Sequence, residues 1–153
     1  MSTQTQTASA SDTMHAEELR VFYRISDEDL ARVHKFGMLA RPHMADAVNR
    51  WYAWLRTQPD YHHFFPDDET QTRVRKLQDH YWDLFMAGHV DDNYVERRRR
   101  VGEMHARIGL PLNTYFAGMN MFMELFNEIV GKSELEVAEQ VLMTESIACL
   151  LYT

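Results

Sequence analysis

With a single cysteine, Cys149, in 153 residues, the chain can form no internal disulfide framework and no Cys-rich zinc site. That scarcity fits a reducing compartment, and a cytoplasmic location is expected. Glycine (6) and proline (4) are too few for a turn-rich β sandwich. Positive charge is also short: 16 Lys+Arg against 23 Asp+Glu gives 16 − 23 = −7. An acidic chain without clustered cations is a poor partner for phosphate backbones, so no nucleic-acid role is expected. No apolar run approaches the ~20 residues that a spanning helix needs, so no membrane segment is expected. There is no Gly-rich phosphate loop and no GxSxG elbow. Residues 1–13 are rich in Ser, Thr, Gln and Ala, with neither a positive n-region nor an apolar core. They read as a flexible leader rather than a secretory signal, ahead of one domain over 14–153.

The chain does contain helix signals in succession. His15 to Tyr23 is a short amphipathic stretch. Ser26 caps a second helix whose apolar spine is Leu30, Val33 and Met38. Pro42 suits the first turn of a third helix, which carries Ala45, Val48, Tyr52 and Leu55, and Pro59 marks its exit. An aromatic connector spans Tyr61 to Pro66. After Asp67-Asp68 comes a helix with Val74, Leu77, Tyr81, Leu84 and Phe85 on one stripe, ended by Gly88. Asp91-Asp92 opens a helix from about Tyr94 to Arg107. Gly109-Leu110-Pro111 then breaks the chain. Leu112 to Val130 is long and apolar, with Gly131 as its C-cap. Ser133, with Glu136 three residues on, has the capping-box spacing for a last helix over Glu134–Tyr152. No sustained period-2 alternation is present. The fold class is all-α, with seven or eight helices.

Few residues are placed for chemistry. Cys149 sits on an apolar helix face without a positive neighbourhood and reads as an inert thiol. The run Arg97 to Arg100 spreads around a helix axis and reads as a solvated face. The histidines lack metal-site spacing: there is no HExxH and no Glu-x-x-His pair. His105 differs, because it shares an apolar stripe with Val101, Met104 and Ile108 in a helix otherwise full of charge. A core histidine donating to a carbonyl is one reading. A haem ligand is the other, since iron takes one neutral imidazole nitrogen inside an apolar pocket. Tyr52, between large apolar residues on another helix, could close such a pocket.

The segment Asp91-Asp92-Asn93-Tyr94-Val95-Glu96 through His105-Ala106-Arg107-Ile108-Gly109-Leu110-Pro111 resembles the proximal segment of the sensor globins. These are the haem domains of globin-coupled sensors, found in aerotaxis transducers, diguanylate cyclases and histidine kinases. The resemblance covers about residues 14 to 153. It implies a globin-like helical sandwich with an extra N-terminal helix, a haem b pocket, and His105 as the proximal iron ligand. Trp51-Tyr52 looks like the family's Phe-Tyr, which makes Tyr52 the distal tyrosine that bonds the gas ligand. Val74 and Leu77 fall where the family places ligand-contacting side chains. Leu77 is apolar where some aerotaxis members carry Thr. Met104 and Ile108 would flank the haem. Tyr115 matches a proximal-side tyrosine in some members, although a core tyrosine with a wet hydroxyl is an equal reading.

The resemblance further implies a sensor of O2, also binding CO and NO, with no catalytic residues of its own. Its output domain would be absent from this chain. A diguanylate cyclase is favoured over a histidine kinase or a chemotaxis transducer. The alternatives are a free-standing haem globin that binds O2 or turns over NO or peroxide, and a haem-free helical interaction module. The last two helices are apolar over much of their circumference. Met119, Phe122, Phe126, Leu142 and Leu150 would form an exposed patch if unpartnered, so a homodimer through these helices is expected. The expected signalling route leaves His105, crosses Gly109-Leu110-Pro111 and enters the next helix near Tyr115.

Overall fold

The computed structural model describes residues 14–153; the leader expected over 1–13 lies outside the described residues. All the regular structure described is helical. The order is α1 (Ala16–Phe22), α2 (Asp27–Ala40), a 3-10 turn (Arg41–His43), α3 (Met44–Leu55), α4 (Tyr61–Phe64), α5 (Asp68–Met86), α6 (Asp92–Arg107), α7 (Leu112–Gly131) and α8 (Val137–Leu151). None of these helices is long and apolar enough to cross a membrane.

Side-chain caps fix several helix starts. Ser26 accepts from the Asp29 N–H at 3.1 Å, and the Asp29 carboxylate accepts from the Ser26 N–H at 2.9 Å. Asp67 and Asp91 accept from the N–H groups of Thr70 and Tyr94, each at 2.7 Å. Asp92 accepts from the Ala16 N–H at 2.8 Å and so ties α1 to the start of α6. Gly88 follows α5 at φ +62, a conformation that costs a glycine little.

The core forms where α2 packs on α5, α7 and α8, and where α7 packs on α3 and α8. Gly37 lets α2 and α5 approach: a Cβ there would lie 2.8 Å from the Met86 Cβ. Trp82 packs against Phe122, Phe126 and Phe85, with ring centroids at 4.4, 5.1 and 5.7 Å. Ser146, itself buried, donates to the Asp29 carboxylate at 2.7 Å and joins α8 to the start of α2.

Several sequence expectations need correction. Met38 is 61% exposed, and the buried spine of α2 continues through Phe36, Gly37 and Ala40 instead. Pro42 lies in the 3-10 turn before α3 rather than in its first turn. The aromatic connector contains the short helix α4. Ser133 does not cap α8. Its hydroxyl donates to the Val130 carbonyl at 2.6 Å, closing the end of α7, and Glu136 is the N-cap of α8. Gly131 is the last residue of α7, and Lys132 is its C-cap.

The apolar patch expected on the last two helices is largely internal. Met119, Phe122, Phe126 and Leu150 are buried within the single chain, and only Leu142 of the five is exposed. A helix apolar on most sides is covered on most sides, and α7 is enclosed by α2, α3 and α8. The Arg run also divides. Arg99 and Arg100 pair with Glu96 at the surface, both at 2.8 Å. Arg98 turns inward, to the end of α8.

Candidate functional site

A cavity of about 320 Å³ opens between α5 and α6 and reaches down to α3 and α7. Val74, Leu77, Gln78, Tyr81 and Trp82 of α5 form one wall. Val101, Met104 and His105 of α6, with Ile108 and Leu110 beyond it, form another. Trp51 and Leu55 of α3, Gln58 and Asp60 after it, the aromatics Tyr61, Phe64 and Phe65, and Thr114, Tyr115, Gly118, Met119 and Phe122 of α7 complete the lining. The floor is set by one contact. The Trp51 indole N–H donates to the Gly118 carbonyl at 2.9 Å, and its ring stacks on Phe122 with centroids at 5.0 Å.

The walls carry large apolar side chains that remain open to solvent. Leu77 is 66% exposed and Met104 51%, although both line the cavity. Apolar surface left open on opposing walls suits an apolar plate inserted between them.

His105 lies half-buried on the α6 wall, as its stripe predicts. Burial lowers its pKa and favours the neutral ring that can bind a metal, against a smaller opposite effect of the Val101 carbonyl one turn back. Its Nδ1 is buried and completes no hydrogen bond with the described residues. The Tyr115 ring meets the imidazole edge-on, with centroids at 5.4 Å.

Unpaired polar atoms concentrate here. Gln78 Oε1, Trp82 Nε1 and His105 Nδ1 are buried without partners among the described residues, and all three belong to cavity-lining side chains. Buried polar groups normally find partners, so such a cluster marks a place shaped for something else. No group of three or more His, Cys, Asp or Glu that could hold a metal ion exists among the described residues. A single imidazole is too little for a protein-only metal site. It is enough for a metal that brings its own ring of equatorial ligands, so these residues fit haem.

Of the residues singled out in the sequence, Val74, Leu77, Met104, His105, Ile108 and Tyr115 all meet in this cavity. Tyr52 is the exception. It is 1% exposed and stands behind the lining, packed edge-on against Trp51 and Phe65. Its hydroxyl has no partner among the described residues, and burial pushes its pKa up to about 12, so it remains a protonated donor. Sequence reading missed Gln78 and Trp82. The available signal was Gln78 itself: a polar residue at i+4 from Val74, on the stripe that continues to Tyr81 and Trp82.

A second cleft of about 230 Å³ lies between α3 and α7. Its charges are already matched, since Glu128 accepts from Arg50 at 2.7 Å and from Lys132 at 2.5 Å. It offers a ligand little.

Comparison with known proteins places the fold. The Protoglobin family model matches residues 14–152. The globin domain of the Geobacter sulfurreducens globin-coupled sensor superposes with a TM-score of 0.83 at 20% identity, covering 91% of each chain. The ferric form of the globin domain of E. coli DosC gives 0.69 at 18% identity, covering 90% of this chain and 95% of that one. Its ferrous form gives 0.66 at 17% identity, with the same coverage. At these identities the likeness establishes the fold, a globin sandwich preceded by an extra helix.

Proposed function

The chain belongs to the protoglobin family, a family of haem b proteins, and on that premise we propose that it is a gas-sensing domain for O2, also open to CO and NO. The observation that carries this reading is one neutral imidazole, His105, on the wall of an otherwise apolar cavity. Haem supplies an iron centre with one coordination position left for a diatomic gas.

The chain's own residues do the rest. His105 holds the iron from α6. The Val101 carbonyl one turn back is the acceptor that would orient the ring once iron is bound. Val74, Leu77, Met104 and Ile108, which line the cavity, would pack against a bound porphyrin and shield it from water. Tyr52 donates its hydroxyl toward a gas that draws negative charge onto itself, and so favours O2 over CO. Tyr115, against the His105 ring at the start of α7, is the residue that reports the state of the site to the rest of the fold.

The reading extends to a homodimer through α7 and α8. Leu112 and Phe116 of α7 and Val137, Val141 and Leu142 of α8 are exposed apolar side chains that would face a second copy. The output is a separate domain, a diguanylate cyclase before a histidine kinase or a chemotaxis transducer. A single cysteine, Cys149, in 153 residues supports a cytoplasmic location.

The test is the visible spectrum of the purified chain. We expect stoichiometric haem with distinct ferric, ferrous and O2-bound forms. A chain that stays colourless when supplied with haem would overturn the reading.

A further inference from the structure

Gln78 is the one flexible polar side chain on the α5 wall whose hydrogen-bonding groups are not already engaged. Of the other polar side chains on the lining, Gln58 donates to the Thr57 hydroxyl at 3.0 Å, and two tyrosines are committed elsewhere. The Tyr81 hydroxyl accepts from Arg98, and the Tyr61 hydroxyl donates to Gln71 at 2.7 Å. Trp82 is fixed by the rings packed around it and only donates. Gln78 is half-buried, its Oε1 is shut from solvent and unpaired, and it shares a stripe with Val74, Tyr81 and Trp82. A buried amide in that state is unfavourable unless a partner enters the cavity. Tyr52, by contrast, stands behind the lining.

We propose that Gln78 faces the gas in this cavity and adds to its preference for O2 over CO. The inference rests on the haem reading above. The amide carries two N–H donors and one carbonyl on a side chain with three rotatable bonds. A half-turn exchanges its donor and acceptor ends. The N–H groups donate to a ligand that accumulates negative charge, while a less polar ligand feels only the field of the amide dipole, enough to shift its stretching band but not to hold it. Gln78 therefore contributes to gas discrimination from within the wall, and Tyr52 from behind it.

The experiment compares the haem-loaded wild type with Gln78→Leu and with Gln78→Met, which keeps the length and flexibility. Haem content and thermal unfolding first establish that the variants are loaded and folded. Two readouts follow: the C–O stretching band of the ferrous CO form by infrared spectroscopy, and O2 and CO dissociation by stopped flow. We expect the C–O band to move to higher wavenumber and O2 to dissociate about ten-fold faster, consistent with loss of one charge-assisted hydrogen bond. CO dissociation should change by less than about two-fold. An unmoved C–O band with unchanged O2 dissociation overturns the proposal, as does an equal change for both gases, which indicates a steric role. Tyr52→Phe measured alongside shows whether the whole polar effect comes from the tyrosine. If it does, Gln78 has no such role. Failure of the wild type itself to take up haem would instead overturn the function proposed above.

Discussion

The guanidinium of Arg98 donates to the carbonyl of Leu151 at 2.7 Å, and so fastens the end of α8 to the middle of α6. The same guanidinium donates to the Thr153 carbonyl at 2.9 Å and to the Tyr81 hydroxyl, and it sits over the rings of Tyr81 and Tyr94. A fixed cation at a helix C-terminus meets its unpaired carbonyls and the negative end of its dipole. Because Tyr81 also lines the cavity, Arg98 joins the wall of the site to the last helix.

Arg98→Met should therefore cost about 2–3 kcal/mol of stability, the range for charge-assisted hydrogen bonds lost together with stacking. Urea unfolding measures it. Arg98→Lys should recover only a small part, since an ammonium cannot reproduce the planar fork. An unfolding midpoint unchanged in Arg98→Met would show the contact to be dispensable.

The link between Ser146 and Asp29 gives a pH-dependent prediction. Burial pushes the Asp29 carboxyl up, but the Ser26 N–H, the Ser146 and Ser26 hydroxyls and Arg32 outweigh it, leaving the group below its ordinary range. A carboxyl depressed by folding stabilises above its unfolded pKa, about 3.9, and loses that contribution as pH falls through the folded value. Ser146→Ala should cost about 1–2 kcal/mol at pH 7. The difference from wild type should shrink below about pH 4, as the wild-type carboxylate is itself protonated. A difference independent of pH down to acid unfolding would place the energy in packing instead.

How much of this was legible in the sequence follows from whether the signal was local. Ser26, Asp67 and Asp91 cap the helices that their spacing indicates, because a cap involves only the next three residues. His105 stood out because its stripe is apolar in a charged helix. Ser133 failed as a cap because its hydroxyl turned back to the Val130 carbonyl, a choice that the chain direction at the α7–α8 corner decides. Arg98 could not be separated from Arg97, Arg99 and Arg100, since its carbonyl acceptors lie more than fifty residues away. Gln78 was passed over because the α5 stripe was followed from Val74 to Leu77 at i+3. The wall itself continues to Gln78 at i+4, while Leu77 sits 66% exposed beside it.

Tyr52→Phe removes one hydroxyl at nearly constant volume. With its pKa pushed to about 12, the wild-type group is a donor throughout the neutral range. O2 dissociation should quicken about ten-fold, by the magnitude of one charge-assisted hydrogen bond, with no pH dependence between about 6 and 9. CO dissociation should change little. Stopped-flow displacement measures both, and equal acceleration of the two gases would make Tyr52 a packing residue only.

Val141 is 52% exposed on α8, one turn from the exposed Val137. If α7 and α8 form the dimer contact, the chain should sediment at about twice its 18.1 kDa mass at micromolar concentration. Val141→Glu should then return it to the monomer by placing a charge in the contact, without altering haem content. A wild type that sediments as a clean monomer would contradict the dimer.

We propose that His105 is the group that holds the haem iron. Its most direct test is His105→Gly, supplied with haem in the presence and absence of free imidazole, with the Soret band recorded as imidazole is titrated in. The account predicts weak or no haem retention without imidazole. As the added base fills the vacated position, a five-coordinate ferrous spectrum should return. A variant that retains full haem with the wild-type ferrous spectrum and no response to imidazole would show that the iron is held elsewhere.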